Sequence, residues 1–321
     1  MSNSVPITSL SATSLSVTST AHQAYDYAVV DVFAERPFEG NPLAIFTDAR
    51  GLSTEEMQAL ARETNLSETT FIVPRDPETE REHGVKVRIF TVQEELEFAG
   101  HPTLGTAAWL YQNHDALRGA EHITLDLRVG PIPVRFTAPR PDEAGLFATM
   151  QQNDPVFGEV HDHAALAAAL GLSIDDLDIS LPAQTVSTGM AFCIVPLKSL
   201  EVAARLQIPQ RSSRDYLECS DAKFFHCMTR ASESSSADWH ARMQFYNGED
   251  PATGSASGCA IAYLVRHGLA ASGQEVVIEQ GVEMLRPSRI YASATIEDGV
   301  VGKVFVGGRT ISVASGRFFL P

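Results

Sequence analysis

The sequence predicts an α/β (α+β) protein of two pseudo-symmetric lobes, in each of which a curved sheet wraps around a central helix. The segment HPTLGTA (residues 101–107) aligns without a gap with DPATGSA (residues 250–256), 149 residues later. Just upstream of each, VRIF resembles ARMQF, and EGNPLAIF in the first half resembles STGMAFCIV in the second. Three matches in the same order indicate two copies of one fold, and their period is far too long for a solenoid.

The strands of the first half follow from short β-branched and apolar runs bounded by turn residues. They are expected at residues 27–34, 43–46, 69–74 and 86–91, and ITLDLRVG and IPVRFTA are expected to form an antiparallel pair. In the second half, FATMQQ, TVSTGMAFCIVPL and HARMQF are predicted strands. QEVVIEQG, SRIYASATIE and GKVFVGGRTISVASGRFFL are the predicted closing strands.

Helices are predicted where apolar residues recur with helical spacing. In LSTEEMQALARETN, Ser53 or Thr54 offers the cap, and Met57, Leu60 and Ala61 share one face. The next helix is expected to start near Thr103, where small residues allow close packing, and HAALAAALGLSIDDL carries one or two more. A further helix follows DPATGSA, so each repeat motif stands at a predicted helix start.

The lobe boundaries follow from composition. A Ser- and Thr-rich tail is predicted over residues 1–24, a first lobe over residues 25–138 and a second lobe over residues 139–309. The break is the Pro- and charge-rich segment PRPDEAG. The closing strand, residues 310–321, is a candidate to return to the first lobe.

Composition excludes several classes of partner. The chain has 321 residues and a formal net charge of −16, so nucleic acid and anionic membrane surfaces are unexpected partners. No run of about 18 apolar residues and no signal-peptide pattern occurs. The four cysteines have no zinc-ligand spacing, which favours reduced thiols and a cytoplasmic protein. A small anionic substrate remains possible, because a few local donors can outweigh the global charge.

Each repeat places a polar residue, then proline, then a Gly-Thr or Gly-Ser pair at a predicted helix start. Helix N-termini carry unpaired N–H groups and a partial positive charge, so they bind carboxylates readily. Thr106 and Ser255 would each add a hydroxyl. If the lobes are related by a pseudo-twofold axis, both helix ends face one cleft. The alternative is an ordinary cap followed by a buried helix.

Three residues are candidates for acid–base chemistry. Glu68, in NLSETTF, stands at the entrance to an apolar strand, where burial would tune its carboxyl toward neutrality. The alternative for Glu68 is a solvated side chain. His101 could orient or shuttle a proton, or be a structural hydrogen-bonding group. Asp250 precedes a proline and could simply cap the helix.

Other chemistries find little support in the sequence. His161, Asp162 and His163 invite a metal site, but no pattern places a further ligand, so a solvated surface is expected. The chain contains no P-loop, no GxGxxG after the first strand and no GxSxG nucleophile elbow. No metal and no nucleotide cofactor are therefore expected.

Together these motifs resemble the PhzF-like phenazine-biosynthesis family, which has the diaminopimelate epimerase-like fold. The matching segments are VDVFAERPFEGNPLAIF, NLSETTF, RIFT followed by ELEFAGHPTLGTA, EDPATGSA, and the closing GGRTISVASGRFFL. The resemblance extends from about residue 27 to residue 321. It implies a homodimeric isomerase that needs no cofactor and acts on a small carboxylate, such as trans-2,3-dihydro-3-hydroxyanthranilate.

The resemblance also implies roles for individual residues. The catalytic glutamate of the family falls on Glu68, its site histidine on His101 and its site aspartate on Asp250. The substrate carboxylate would lie near Gly254 and Ser255, with Gly100 on the opposite side. The expected substrate-binding set is completed by two residues of the matched motifs, Asn41 and Thr106.

The sequence departs from the related racemases and epimerases, which use a pair of facing cysteines. Those places are held here by Glu68 or His101 and by Asp250, and Cys259 lies nine residues beyond Asp250. Two alternatives stay open at this point. One is a two-base racemase or epimerase of the same fold, and the other is a small-acid binding protein without catalytic activity.

Overall fold

The computed structural model describes residues 23–138, 144–232, 235–245 and 248–320. The predicted tail therefore lies outside the described residues up to residue 22, as does most of the predicted break between the lobes. The strands are β1 (Gln23–Val32), β2 (Asn41–Phe46), β3 (Glu68–Ile72), β4 (Val85–Phe90), β5 (Glu95–Leu96), β6 (His122–Leu127), β7 (Gly130–Phe136), β8 (Leu146–Gln151), β9 (Val156–Val160), β10 (Gln184–Ser187), β11 (Ala191–Pro196), β12 (Phe224–Arg230), β13 (Trp239–Phe245), β14 (Gly248–Asp250), β15 (Val276–Gln280), β16 (Ser288–Glu297) and β17 (Val300–Leu320).

The helices include two long buried ones, α3 and α7, and several short ones. They are α1 (Thr54–Thr64), α2 (Pro77–His83), α3 (Gly100–Asn113), α4 (His163–Leu170), α5 (Leu200–Arg205), α6 (Gln210–Glu218) and α7 (Gly254–Arg266), with a 3-10 turn at Ile174–Asp176. Among the described residues, no helix has the length and apolar character needed to cross a membrane.

In the first lobe, eight strands close into a ring around α3. Their order is β1, β2, β3, β4, β6, β7, β8 and β17, which returns to β1. Residues Gly100 to Ala108 of α3 are all buried, because strands cover the helix on every side. A helix that is apolar all round is stable only when it is enclosed in this way.

The second lobe repeats this arrangement around α7. Its sheet runs in the order β9, β10, β11, β12, β13, β15, β16 and β17. In the first lobe β4 turns back through β5, the chain enters α3, and β6 then pairs parallel with β4. In the second lobe β13, β14, α7 and β15 follow the same path. The two-lobed fold predicted from the repeats is confirmed.

Strand β17 belongs to both lobes. Its first part pairs with β16, its middle with β8, and Thr310 to Leu320 pair with β1. The closing segment that was a candidate to return to the first lobe therefore lies beside the first strand of that lobe.

Several element bounds differ from the prediction. Strand β1 begins at Gln23 rather than at Tyr27 and so includes two residues assigned to the tail, because Gln23 and Ala24 pair with the end of β17. Helix α3 begins at Gly100 rather than near Thr103. The segment predicted as one strand around Gly189 is a hairpin of β10 and β11. In contrast, Ser53 caps α1 through a reciprocal bond pair with Glu56, as expected.

The solvated surface predicted for His161 is wrong. Its ring is buried, with Nδ1 2.9 Å from the Tyr216 hydroxyl and Nε2 2.8 Å from Thr185 Oγ1. Of its neighbours, Asp162 caps α4 and His163 bonds the Leu181 carbonyl. These three side chains therefore hold the local fold together and do not converge on one point.

Candidate active site

The fold brings the three acid–base candidates to the boundary between the lobes. Glu68 is the first residue of β3, His101 lies in the first turn of α3, and Asp250 ends β14 just before α7. The distance between His101 Nε2 and Glu68 Oε2 is 3.5 Å. These atoms are buried and have no hydrogen-bond partner among the described residues. Two buried polar atoms thus face each other, and both remain able to hydrogen-bond a ligand.

Burial sets the protonation of Glu68 and His101 in opposite directions. Desolvation, with a further contribution from the nearby charge of Asp250, raises the pKa of Glu68 to about 8. Desolvation lowers the pKa of His101 to about 3, so its imidazole is neutral at physiological pH. The close approach of the two side chains is therefore not an ion pair. A carboxyl with a pKa near neutrality can both accept and return a proton.

Asp250 is held by donors from both lobes. Asn41 Nδ2 donates to Oδ1 at 2.7 Å, and Thr253 Oγ1 donates to Oδ2 at 2.6 Å. Gln280 fixes the backbone by donating to the Asp250 carbonyl at 2.7 Å. Burial raises the pKa of Asp250 to about 6, although the bonds to Thr253, Ala252 and Asn41 oppose the shift. Asn41, predicted as a substrate-binding residue, thus contacts Asp250 across 209 residues of sequence.

The N-termini of α3 and α7 lie against each other. A Cβ atom added to Gly100 would stand 3.6 Å from the backbone nitrogen of Ser255 and 3.8 Å from the carbonyl carbon of Gly254. Neither helix has a side chain bonded at its N-cap. The first N–H groups of both helices are therefore the donors that a carboxylate would use at this boundary.

Thr106 differs from its predicted role. Its hydroxyl is fully buried and lies 2.9 Å from the Thr70 hydroxyl, inside the first lobe. This bond joins α3 to β3, so we do not retain Thr106 among the ligand-binding candidates. Cys259 is also occupied, because its Sγ lies 3.5 Å from Thr188 Oγ1, and burial raises its thiol pKa to about 11.

Two supporting residues escaped prediction from the sequence. Thr253 belongs to the DPATGSA motif and could have been recognised as a partner of the preceding aspartate. Gln280 lies at the end of β15, where nothing in the sequence signals its bonds to Asp250 and Thr253. Among the described residues, no group of three or more His, Cys, Asp or Glu side chains could hold a metal ion.

The sequence profile of the family described as Phenazine biosynthesis-like protein matches residues 30–316. The chain belongs to this family. A trans-2,3-dihydro-3-hydroxyanthranilate isomerase from Pseudomonas aeruginosa is 36% identical over 297 residues, which cover 92% of this chain and 99% of that protein. The isomerase of the same name from Pseudomonas fluorescens is 34% identical over 300 residues and is covered completely.

Solved structures agree with this family assignment. A Bacillus anthracis phenazine biosynthesis protein of the PhzF family superposes with a TM-score of 0.81 at 27% identity, over 92% of this chain and 99% of that one. A hydroxyproline epimerase from Agrobacterium vitis, at 10% identity and a TM-score of 0.59 over 92% of this chain and 93% of that one, shares the fold alone. The phenazine biosynthesis-like chain therefore has the fold that its repeats and motifs predicted.

Proposed function

We propose that this chain is a cofactor-independent isomerase that moves a proton on a small carboxylated substrate of the dihydro-hydroxyanthranilate type. The observation that carries the proposal is the buried Glu68 carboxyl, whose Oε2 faces His101 without a hydrogen-bond partner among the described residues. The names of the relatives support the substrate class.

In this proposal, the N–H groups at the start of α7 bind the substrate carboxylate, and Gly100 leaves room on the opposite side. Glu68, once ionised, removes a proton next to the unsaturated system and returns it at another carbon, so the net proton count is unchanged. Neutral His101 orients the Glu68 carboxyl or stabilises charge that develops on the substrate. Asp250 positions an amine or hydroxyl of the substrate.

A two-base racemase is the weaker alternative. It needs a second group that is free to exchange a proton from the other lobe. Both carboxylate oxygens of Asp250 already accept hydrogen bonds, from Asn41 and Thr253. Cys259 Sγ is hydrogen-bonded to Thr188 Oγ1, and burial raises the pKa of its thiol. The side chain is therefore a neutral thiol at physiological pH and not the thiolate that would accept a proton. A binding protein without activity is also less well supported, because binding alone does not require a carboxyl with the pKa of Glu68.

The test is proton NMR in deuterium oxide with trans-2,3-dihydro-3-hydroxyanthranilate, comparing the wild-type protein with Glu68→Gln. We expect the wild type to convert the substrate with deuterium incorporation, and we expect the variant to be folded and at least 100-fold slower. Equal turnover by the variant would refute the role of Glu68. Exchange at a stereocentre without migration of a double bond would favour the racemase.

The dimer that the family resemblance implies stays a prediction, which light scattering would check.

A further inference from the structure

His226, in the middle of β12, is a buried polar residue that the proposed reaction does not use. Its side chain is completely inaccessible to solvent. Nδ1 and Nε2 both lack a hydrogen-bond partner among the described residues. Buried polar groups are nearly always hydrogen-bonded, since an unpaired one costs stability. An imidazole with two unpaired nitrogens therefore calls for a functional explanation.

The direction of the His226 side chain follows from its neighbours in β12. Successive side chains of a strand point to opposite faces. Phe225 and Cys227 pack in the cluster that covers the outside of the second lobe. Phe224 and Met228 pack in the inner cluster, which contains the residues of α7. His226, between them, therefore points toward α7.

The strand register relates His226 to the candidate active site. Cys227 pairs with Arg242, which puts His226 next to Met243 on β13. Met243 in turn pairs with Asp250 on β14. His226, Met243 and Asp250 thus form one row on one face of neighbouring strands, with His226 and Asp250 about 10 Å apart at the backbone. A ligand over Met243 would have Asp250 on one side and His226 on the other.

We propose that His226 is a substrate-recognition residue that hydrogen-bonds a hydroxyl or amine on the side of the substrate opposite to Asp250. This inference rests on the proposed function and adds His226 as a fourth polar side chain beside Glu68, His101 and Asp250. Its neighbours in the row and along the strand are apolar, so the imidazole and Asp250 would fix the orientation of the ligand. A site built with a buried polar group discriminates strongly against ligands that cannot pair with it.

The protonation state of His226 suits recognition rather than proton transfer. Burial lowers the pKa of His226 to about 4, so the ring is neutral at physiological pH. A neutral imidazole has one donor and one acceptor, which match a hydroxyl group or an amine. A cationic ring would attract the substrate carboxylate and so compete with the N-terminus of α7.

The test combines activity with stability in His226→Leu. If His226 recognises the substrate, we expect KM for trans-2,3-dihydro-3-hydroxyanthranilate to rise about 10-fold or more, while the melting temperature rises because an unpaired buried polar group is gone. Met228→Leu, on the same strand and face, is the control and should change neither value. His226→Gln should recover part of the affinity. Unchanged kcat/KM in His226→Leu, or a loss of activity that follows a loss of stability, would overturn the inference.

Calorimetry with 3-hydroxyanthranilate separates this inference from the proposed reaction. The compound carries the same carboxylate, amine and hydroxyl groups and cannot be isomerised in the same way. If the wild type binds it but converts no substrate, the proposed reaction fails, and an affinity at least 10-fold weaker in His226→Leu would still support recognition. Equal affinity of the two proteins, or no binding by the wild type, would refute the role of His226.

Discussion

The burial of Glu68 that supports its proposed role in proton transfer also reduces the stability of the fold. An unfolded glutamate has a pKa near 4.5, whereas burial raises the folded value to about 8. The folded state therefore holds the proton more tightly, and raising the pH through this range favours unfolding. The stability that the protonated carboxyl allows is present below about pH 4.5 and is lost as the pH approaches 8.

We therefore expect Glu68→Gln to be more stable than the wild type at pH 8.5, by about 4 kcal/mol, and to show little difference at pH 5. Urea unfolding at the two pH values measures this. Glu63→Gln, at an exposed position in α1, is the matched control. A constant difference between wild type and Glu68→Gln from pH 5 to pH 8.5 would contradict the raised pKa.

The candidate site residues could be named from the sequence to the extent that they lie in short motifs. Glu68, His101 and Asp250 each stand in a recognisable segment, and the repeat placed two of them at equivalent helix starts. The hydrogen bonds that hold the candidate residues in place were not predictable. The bond between Asn41 and Asp250 crosses the lobes, and Gln280 reaches back from a later strand, so both depend on tertiary packing. Thr106 shows that a motif match can also mislead, since it was predicted to bind substrate but its hydroxyl packs inward against Thr70.

At the scale of a single strand, β13 carries charged side chains that are buried in a network. His240 lies 3.1 Å from Glu279 Oε1 and 3.0 Å from Glu283 Oε1. Burial alone would lower its pKa, but hydrogen bonds and charge interactions with the two glutamates raise it to about 9. His240 is thus a cation at neutral pH, and Arg242 beside it is paired with Glu249, the residue before Asp250.

This network predicts a loss of stability in alkali. Because the folded pKa of His240 is raised, its contribution is fully present below about pH 6.5 and is lost as the pH rises through 9. We expect the stability difference between wild type and His240→Asn to decrease by about 3 kcal/mol between pH 6 and pH 10. His83→Asn, at an exposed histidine beside Glu82, is the control. A difference that grows with pH would exclude a cationic His240.

Secondary structure was predictable where the chain carries a clear apolar pattern and less so elsewhere. Strands β2, β3 and β4 and helix α1 follow apolar patterns that the lobe then buries. The elements missed include α5, α6 and β12 in the second lobe and α2 in the first, all of them outside the repeat motifs. The start of α3 was also misplaced, since the helix begins at Gly100, which lies against the start of α7.

At the scale of the whole molecule, the lobes are joined by β17 and by a buried ion pair. Arg286 Nη2 donates to Asp31 Oδ1 at 2.7 Å, and Asp31 also accepts the Phe38 backbone N–H. Arg286 further donates to the carbonyls of Glu39 and Gly40, in the turn that leads to Asn41. This contact therefore ties the turn beside the site to the second lobe.

Breaking this contact should cost far more than breaking an exposed ion pair. Asp31 is 2% exposed, so Arg286→Met leaves an uncompensated buried charge, which we expect to lower the free energy of unfolding by about 2–4 kcal/mol. Arg317→Met is the matched control, because Arg317 and Asp26 pair at 2.7 Å with side chains 66% and 64% exposed, and its effect should stay below about 1 kcal/mol.

The double variant Asp31→Asn/Arg286→Met should recover part of the loss, because it removes the stranded charge together with its partner. Urea unfolding of wild type, Asp31→Asn, Arg286→Met, the double variant and Arg317→Met measures these differences, and additive effects at Asp31 and Arg286 would show that the pair does not join the lobes energetically. Since Asn41 and Asp250 depend on the same turn, Arg286→Met should also lower kcat, whereas Arg317→Met should not.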